Sequence, residues 1–314
     1  MQFISADEVR LYLDWDSVIE ALEQMFREGC EAPVRHHHTM QIPGQADATM
    51  LLMPAWTPGK YAGLKLVNVY PDNASKQLPS IMGGYLLMDG DSGAPLAYLE
   101  AGELTARRTA GASALAAKYL AREDASKLLI VGSGRIAMNI GFAHAAVRPI
   151  RQIRVWARSL EKAEAVAEHY RSHGFEAEPV EQLEQGVRWA DIVSCGTMSS
   201  EPLVLGDWVQ PGTHIDLVGA FKPTMRETDD ALVSKAAVYA DTRDGVLAEA
   251  GDLLIPIANG NFKPEQIVAD LQQLARGEGA GRSSTEQVTL FKSVGASLED
   301  LAAAIRCYEN ARNG

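Results

Sequence analysis

A glycine-containing turn in the middle of the chain has the spacing of a phosphate-binding loop. Gly132, Gly134 and Ala137 form a G-x-G-x-x-A pattern, which follows the apolar run LLIV and precedes a predicted helix. In this context Gly132 allows a tight turn, Gly134 lets a phosphate approach the backbone, and Ala137 lets the helix pack close to the strand. A pyrophosphate would lie at the helix N-terminus, where free N–H groups and the helix dipole favour an anion. We therefore predict a dinucleotide site that includes Gly132, Ser133, Gly134, Arg135 and Ile136, rather than a glycine-rich turn that binds nothing.

The end of the next predicted strand bears on which dinucleotide is bound. An NAD site usually carries an aspartate or glutamate there, which accepts hydrogen bonds from the ribose hydroxyls. This chain has Ala157, Arg158 and Ser159 instead, and Glu161 is the first carboxylate that follows. Arg158 could pair with a 2′-phosphate and Ser159 could donate to it, so we predict that NADP(H) is preferred over NAD(H). Alternatively, Arg158 is a solvated arginine that stacks on adenine.

Three cations in the first third of the chain are candidates for binding an anion. Taken singly, Arg35, Lys65 and Arg108 are more often solvated charges than ligands. Lys65, however, lies within the apolar strand segment GLKLVNVY, and buried lysines are rare unless paired or functional. Arg108 lies near the start of a predicted helix, where the dipole disfavours a cation, and this indicates an anionic partner.

The histidines and cysteines of the chain do not indicate a metal site or a disulfide. The adjacent residues His36, His37 and His38 would alternate sides in an extended strand, so we do not expect a metal site there. Cys30, Cys195 and Cys307 form no CxxC pair, which argues against a disulfide framework or a structural zinc site and favours a reducing cytoplasm.

Composition narrows the class of protein. The chain has 314 residues, 46% of them hydrophobic, and a net charge of −12. Nucleic-acid binding usually requires a basic face, so the acidic balance argues against it. The N-terminal segment lacks the pattern of a signal peptide, and no apolar run approaches the ~20 residues of a membrane span.

The order of predicted elements indicates how these residues are positioned. Ser5–Gly29 is predicted to be one amphipathic helix, with Ser5 and Glu8 as a capping box. Consecutive short strands between Thr49 and Leu99 predict an antiparallel or mixed sheet. From Lys127 to Asp270 strands and helices alternate, which is typical of a Rossmann doubly wound parallel sheet. The fold class is therefore α/β, with a second α+β domain.

Five segments of the chain resemble the ornithine cyclodeaminase/mu-crystallin family. They are GLKLVNVYPDN, TARRTAGASALAAKYLA, VGSGRIA, HIDLVGAFKP and TLFKSVGASLEDLA, and they span nearly the whole chain in the family's order. The resemblance implies a substrate-binding and dimerisation domain over residues 1–120 and 294–314, a Rossmann domain over residues 121–293, and a homodimer formed through the first domain.

The resemblance also implies roles for individual residues. Arg108 matches the arginine of the family's TAxRTA motif, which binds the substrate carboxylate; Lys65 matches an active-site lysine, and Arg35 a second carboxylate contact. Further positions are implied at the cofactor, namely Thr197, Val218, Gly219, Val294 and Gly295.

One departure from the family's cyclodeaminase branch points to a different reaction. That branch has an aspartate that assists deprotonation and ring closure, where this chain has Phe221, and a phenyl ring cannot accept a proton. Asp216 is close in sequence, but we expect the alternation of side chains along the strand to direct it elsewhere. The GAFKP segment resembles the reductases of Δ1-pyrroline-2-carboxylate and Δ1-piperideine-2-carboxylate, and the apolar Phe221 suits a flat cyclic imine without a distal amino group. We therefore predict NAD(P)H-dependent reduction of a cyclic 2-imino acid to L-proline or L-pipecolate. An ornithine cyclodeaminase, an alanine-type dehydrogenase and a non-catalytic binding protein are the alternatives.

Overall fold

The computed structural model describes residues 1–313, and these residues form two compact units. Unit 1 comprises residues 1–108 together with the segment from Ala296 onward, and unit 2 comprises residues 109–295. The boundaries predicted from the sequence lie at residues 120/121 and 293/294. In the structure the two units divide at residues 108/109, within the helix Ala101–Leu120, and at residues 295/296.

Unit 1 is built on a six-stranded sheet in the order β1-β6-β5-β4-β3-β2. Its strands are β1 (Gln2–Ile4), β2 (His36–Met40), β3 (Ala48–Thr57), β4 (Tyr61–Val69), β5 (Ile81–Asp89) and β6 (Pro95–Glu100). Strands β2 to β6 pair antiparallel and β1 pairs parallel with β6, which confirms the predicted mixed sheet. In the turn between β5 and β6, Asp89 Oδ1 accepts a hydrogen bond from the Ser92 N–H (2.8 Å), and Gly93 has a φ of +72°.

The helices of unit 1 are α1 (Ala6–Tyr12), α2 (Trp15–Glu28), α3 (Ala101–Leu120) and the last helix of the chain, α11 (Ser297–Asn313). Ser5 and Glu8 form the predicted capping box of α1. The prediction of one continuous helix to Gly29 is wrong, because Asp14 caps a second helix by accepting from the Ser17 N–H (2.9 Å). Helix α11 packs against α1, α2 and strands β3 to β5, so it covers the sheet that carries Lys65.

Unit 2 contains an eight-stranded sheet in which all paired strands are parallel, and this confirms the predicted fold class. The strands are β7 (Lys127–Val131), β8 (Gln152–Trp156), β9 (Glu176–Pro179), β10 (Ile192–Cys195), β11 (His214–Leu217), β12 (Ala237–Ala240), β13 (Ile267–Asp270) and β14 (Thr289–Lys292). The helices are α4 (Ala137–Val147), α5 (Leu160–Arg171), α6 (Leu183–Trp189), α7 (Asp230–Lys235), α8 (Arg243–Glu249), α9 (Gly251–Ala258) and α10 (Leu271–Arg276).

The strand order of unit 2, β13-β12-β14-β11-β10-β7-β8-β9, places a topological switch point between β7 and β10. The chain runs outward from β7 to β8 and β9 and then returns to β10 on the other side of β7. In open α/β sheets, ligands bind at the carboxyl ends of the strands at such a point. In residues 1–313, no helix is both long enough and apolar enough to cross a membrane.

Candidate active site

The loop after β7 has the geometry of a phosphate-binding turn. Gly132 has a φ of +132°, and its N–H donates to the Trp156 carbonyl (2.8 Å). A Cβ on Gly132 would lie 3.0 Å from the Gly196 carbonyl oxygen, so conformation and space both favour glycine there. Among the described residues, no heavy atom lies within 4 Å of the position that a Cβ on Gly134 would take. Ile136, whose side chain accepts no hydrogen bond, occupies the N-cap position of α4, so the helix start fits a phosphate group.

The segment after β8 carries the residues on which the choice of dinucleotide depends. Arg158 is exposed and Ala157 is half-buried. Ser159 is the N-cap of α5, and its Oγ accepts from the Lys162 N–H (3.4 Å). The Ser159 hydroxyl hydrogen is not used by this cap, so the structure is compatible with its predicted role as a donor to a phosphate.

The loops after β10 and β11 are joined by one buried carboxylate that the sequence analysis missed. Glu227 Oε1 accepts from the N–H (2.7 Å) and the hydroxyl (2.8 Å) of Thr197. Glu227 Oε2 accepts from the N–H groups of Gly219 (2.9 Å) and Ala220 (3.1 Å). A Cβ on Gly219 would lie 2.0 Å from both the N and the O of Thr197, so only glycine fits at this approach. Val218 precedes Gly219 directly, and its N–H donates to the Cys195 carbonyl (2.9 Å).

The loop after β14 is held by a second buried carboxylate. Asp241 Oδ2 accepts from the Ser293 hydroxyl (2.9 Å) and from the N–H groups of Val294 (2.9 Å) and Gly295 (2.8 Å). All five loops that carry predicted cofactor residues therefore follow parallel strands and lie at the same edge of the sheet.

Unit 1 brings Lys65 and Arg108 together on one carboxylate. Lys65 lies in the middle of β4, is 3% exposed, and its Nζ is 2.6 Å from Asp300 Oδ2. Arg108 donates from Nε to Asp300 Oδ1 (3.0 Å) and from Nη1 to Glu299 Oε2 (2.5 Å). Both acids are fully buried in the first turn of α11.

The expectation that Arg108 lies near a helix start is wrong. Helix α3 begins at Ala101, so Arg108 is its eighth residue and lies in the third turn. The anionic partners that the sequence predicted are present, but Glu299 and Asp300 of the protein itself supply them.

The charges in this cluster set the proton affinity of Lys65. Burial lowers the pKa of Lys65 and Asp300 raises it, while Arg108 and Arg35 lower it further, and the resulting pKa is about 8. Burial alone would raise the pKa of Asp300, but Lys65 and Arg108 outweigh this effect and hold that pKa below its ordinary value. Arg35 is half-buried. A lysine with a pKa near neutrality can both carry and release a proton under ordinary conditions.

The histidine run lies on the edge strand of unit 1. His36, His37 and His38 belong to β2, which pairs only with β3 in the sheet, and all three are exposed. Within residues 1–313, no three histidine, cysteine, aspartate or glutamate residues are grouped so that they could hold a metal ion.

Comparison with known proteins identifies the family. The profile of the ornithine cyclodeaminase/mu-crystallin family matches residues 2–314. The chain belongs to this family. A Δ1-pyrroline-2-carboxylate reductase of Paracoccus denitrificans is 39% identical over 306 residues, which cover 96% of this chain and 95% of the relative. The resemblance seen in the sequence motifs is thus confirmed.

Two solved structures share the fold over the whole chain. Thermococcus litoralis Δ1-pyrroline-2-carboxylate reductase, in complex with NADH and L-proline, is 34% identical with a TM-score of 0.92, covering 100% of this chain and 98% of that chain. An archaeal alanine dehydrogenase dimer with bound NAD is 29% identical with a TM-score of 0.90, covering 100% of this chain and 96% of that chain.

The structure also places Phe221 and Asp216, the two residues that bear on the predicted absence of a cyclodeaminase base. Phe221 is half-buried in the loop after β11, where it packs on the core of unit 2, and the Lys222 ammonium lies 5.9 Å from its ring centroid. Asp216 is fully buried within β11 and accepts from the hydroxyls of Ser113 (3.0 Å) and Ser194 (2.6 Å). The Asp216 carboxylate is therefore directed into the interior of unit 2, as expected from the alternation of side chains along the strand.

Proposed function

We propose that the protein reduces a cyclic 2-imino acid, Δ1-pyrroline-2-carboxylate or Δ1-piperideine-2-carboxylate, to L-proline or L-pipecolate. The observation that carries this proposal is the buried Lys65–Asp300–Arg108 cluster, which combines a proton donor with a carboxylate-binding cation. The chain containing it is 39% identical to a relative named Δ1-pyrroline-2-carboxylate reductase.

The cations of unit 1 bind the substrate in this proposal. Asp300 and Glu299 accept hydrogen bonds from Nε and Nη1 of Arg108, so the guanidinium plane is held in place. In this proposal Arg108 binds the substrate carboxylate, with Arg35 as a second contact. Orienting the imine in this way supplies much of the rate of such a reaction.

Lys65 holds the proton that the reaction consumes. Reduction of the C=N bond adds a hydride to the ring carbon and a proton to the ring nitrogen. The Lys65 ammonium donates that proton and is regenerated from solvent, and its pKa of about 8 keeps it protonated at neutral pH.

The cofactor is a nicotinamide dinucleotide. When bound, its reduced nicotinamide supplies the hydride. Unit 2 would hold it through the loop after β7 for the pyrophosphate, and through the loops after β10, β11 and β14, which contain Thr197, Gly219 and Val294. The preference for NADP(H) is part of the proposal and is supported by the exposed Arg158 and by the absence of an acidic residue at positions 157–159.

The cyclodeaminase alternative is disfavoured by the chemistry of the loop after β11. Ring closure of ornithine requires a base for the substrate amine, and Phe221 cannot serve as one. Asp216 is fully buried, and its two carboxylate oxygens accept hydrogen bonds from the hydroxyls of two serines. An alanine-type dehydrogenase remains the second candidate, since an archaeal alanine dehydrogenase shares the fold at 29% identity.

A homodimer formed through unit 1, and a location in the cytoplasm, also belong to the proposal. Phe3 (63% exposed) and Tyr98 (38% exposed) stack on each other on strands β1 and β6, which leaves an apolar patch that a second copy would cover. The three cysteines are free thiols, in keeping with a reducing compartment.

The test of the proposal is a spectrophotometric assay of NADPH and NADH oxidation with each cyclic imine. Pyruvate plus ammonia and ornithine plus NAD are the two comparison reactions. Rapid oxidation with an imine, absent in an Arg108→Ala variant, supports the reductase. Turnover of pyruvate alone would instead favour the dehydrogenase, and ammonia released from ornithine would overturn the argument from Phe221.

A further inference from the structure

A group of three charged side chains is fully buried in unit 2, outside the residues to which the reaction assigns a role. Glu227, Asp252 and Lys292 are each 0% exposed. Burying an ionised side chain is costly unless it is paired and hydrogen-bonded, so these residues are expected to serve a specific arrangement. We refer to them as the buried triad.

Glu227 is the acceptor at the centre of the buried triad. Its two carboxylate oxygens accept four hydrogen bonds of 2.7–3.1 Å, two from Thr197, one from Gly219 and one from Ala220. Thr197 follows β10, and Gly219 and Ala220 follow β11, so one side chain ties two neighbouring loops together. Both loops contain residues predicted to contact the cofactor.

Lys292 links this carboxylate to the next strand of the sheet. It is the last residue of β14, and its Nζ lies 2.8 Å from Asp252 Oδ2 and 3.8 Å from Glu227 Oε2. Asp252 Oδ1 in turn accepts from the N–H groups of Glu227 (2.6 Å) and Thr228 (3.1 Å). The triad therefore fixes both the backbone and the side chain of Glu227.

We propose that Glu227 is a positioning residue for the dinucleotide, whose ionised carboxylate holds the loops after β10 and β11 in the conformation that binds the cofactor. The inference rests on the proposed function only in that unit 2 binds a nicotinamide dinucleotide. It does not depend on which substrate is reduced.

Glutamine is the informative replacement at position 227. It has the same shape, but it has one acceptor oxygen and an NH2 group that only donates. In Glu227→Gln the NH2 group would face either the Thr197 donors or the N–H groups of Gly219 and Ala220. At least two of the four hydrogen bonds are then lost, and one loop faces a donor instead of an acceptor.

The experiment measures the Kd of NADH for the substrate-free full chain, from the change in nicotinamide fluorescence on binding. We expect Glu227→Gln to weaken binding about tenfold or more, which corresponds to about 1.4 kcal/mol. Glu201→Gln is the matched control, because Glu201 is exposed in the segment between β10 and β11. An unchanged Kd in a folded Glu227→Gln protein would overturn the proposal.

The pH dependence of the wild-type Kd is a second readout, which a purely structural role would not produce. Burial raises the pKa of Glu227, Lys292 lowers it and Asp252 raises it, and the result is about 7. Burial would lower the pKa of Lys292, but Asp252, Glu227 and Asp241 hold it above its ordinary value, so it stays charged. Cys195, packed near the same groups, has a raised pKa from burial and from Glu227 and stays neutral. The pKa of the Glu227 carboxyl group therefore lies near neutral pH.

Protonation of Glu227 replaces an acceptor with a donor, so NADH should bind more weakly as pH falls from about 8 to about 6. NADH is used because it lacks a 2′-phosphate that would titrate in the same range. Glu227→Gln should lose this dependence. If that variant does not fold, the wild-type profile decides: a Kd that is constant over this range would overturn the proposal. NADH binding with the expected profile but without imine turnover would refute the proposed function and leave this inference standing.

Discussion

Asp300→Asn tests the role of Lys65, since it removes one charge and hardly changes the size of the side chain. In the wild type, Asp300 Oδ2 lies 2.6 Å from Lys65 Nζ. Two unit charges about 4 Å apart interact by about 4 kcal/mol at an effective dielectric constant of about 20. Reorganisation of the site and the entry of water reduce this energy. Even a third of it corresponds to a change of about one unit in the pKa of Lys65. The pKa of Lys65, about 8 with Asp300 present, should therefore fall to about 7 or below in the variant.

The sign of the effect on activity follows from the proposed role of Lys65 as a proton donor. Only the protonated amine is active, so kcat/KM is highest below the pKa of Lys65 and declines as pH rises through it. In the wild type this decline should centre near pH 8. In Asp300→Asn it should move down by about one pH unit. The assay is kcat/KM for the cyclic imine across this range, with one substrate and one cofactor, so that their own titrations are common to both proteins.

Controls separate this effect from a general loss of structure. Glu309→Gln removes a charge from the same helix, where Glu309 is exposed and accepts from the Tyr61 hydroxyl (3.1 Å), and it should leave the profile unchanged. Lys65→Met should abolish the decline altogether. A folded Asp300→Asn protein whose activity still declines near the wild-type pH would refute the assignment of the proton donor to Lys65.

Three further predictions concern other parts of the chain. Gly219→Ala places a Cβ about 2 Å from the Thr197 backbone, so we expect the free energy of unfolding to fall by about 3 kcal/mol. Urea denaturation measures this change, and an unchanged free energy of unfolding would contradict the prediction. Arg158→Ala should lower the ratio of kcat/KM for NADPH over NADH about tenfold, since a charge-assisted contact is worth about 1.5–3 kcal/mol, and an unchanged ratio would remove Arg158 from cofactor selection. Asp14→Ala removes the acceptor for the Ser17 N–H and should cost about 1 kcal/mol, measurable as a lower Tm with unaltered kcat.

Most of the correct predictions rest on residues that lie close together in the sequence. The spacing of Gly132, Gly134 and Ala137 is recognisable because a tight turn, a phosphate and a helix must meet within six residues. The Ser5–Glu8 capping box of α1 was predictable because its two side chains and the N–H groups that they bind lie within four residues. Lys65 stood out because a charge inside an apolar strand requires a partner.

The partners themselves could not be predicted, because they lie far away in the sequence. Asp300 is 192 residues from Arg108, and nothing in the segment SLEDLA indicates which of its acids faces the sheet. Glu227 lies in an irregular segment where no periodicity exists to indicate burial. Strand β2 was missed because HHHTM has no apolar alternation, and its extended conformation depends on pairing with β3. Strands β9 and β13, of four residues each, are similarly defined by their neighbours in the sheet.

In each unit a buried carboxylate binds cationic side chains or N–H groups that come from separate helices, strands or loops. The physical reason is the same in both units. Buried cationic side chains and the N–H groups of loops have no partner in a sheet ladder, so another group must fix their positions at a site that excludes water. Asp300 does this for Lys65 and Arg108, and Glu227 does it for the Thr197 and Gly219 loops. In unit 1 the compensation of Lys65 is incomplete, because burial and two arginines oppose one aspartate, and this imbalance lowers the pKa of Lys65 to about 8. A lysine with more carboxylate partners would hold its proton more tightly, and a buried lysine without one would hold it less tightly, because burial disfavours the charged form. The net charge of −12 is therefore uninformative about the substrate, since the local balance between a few buried charges decides what the site can bind and protonate.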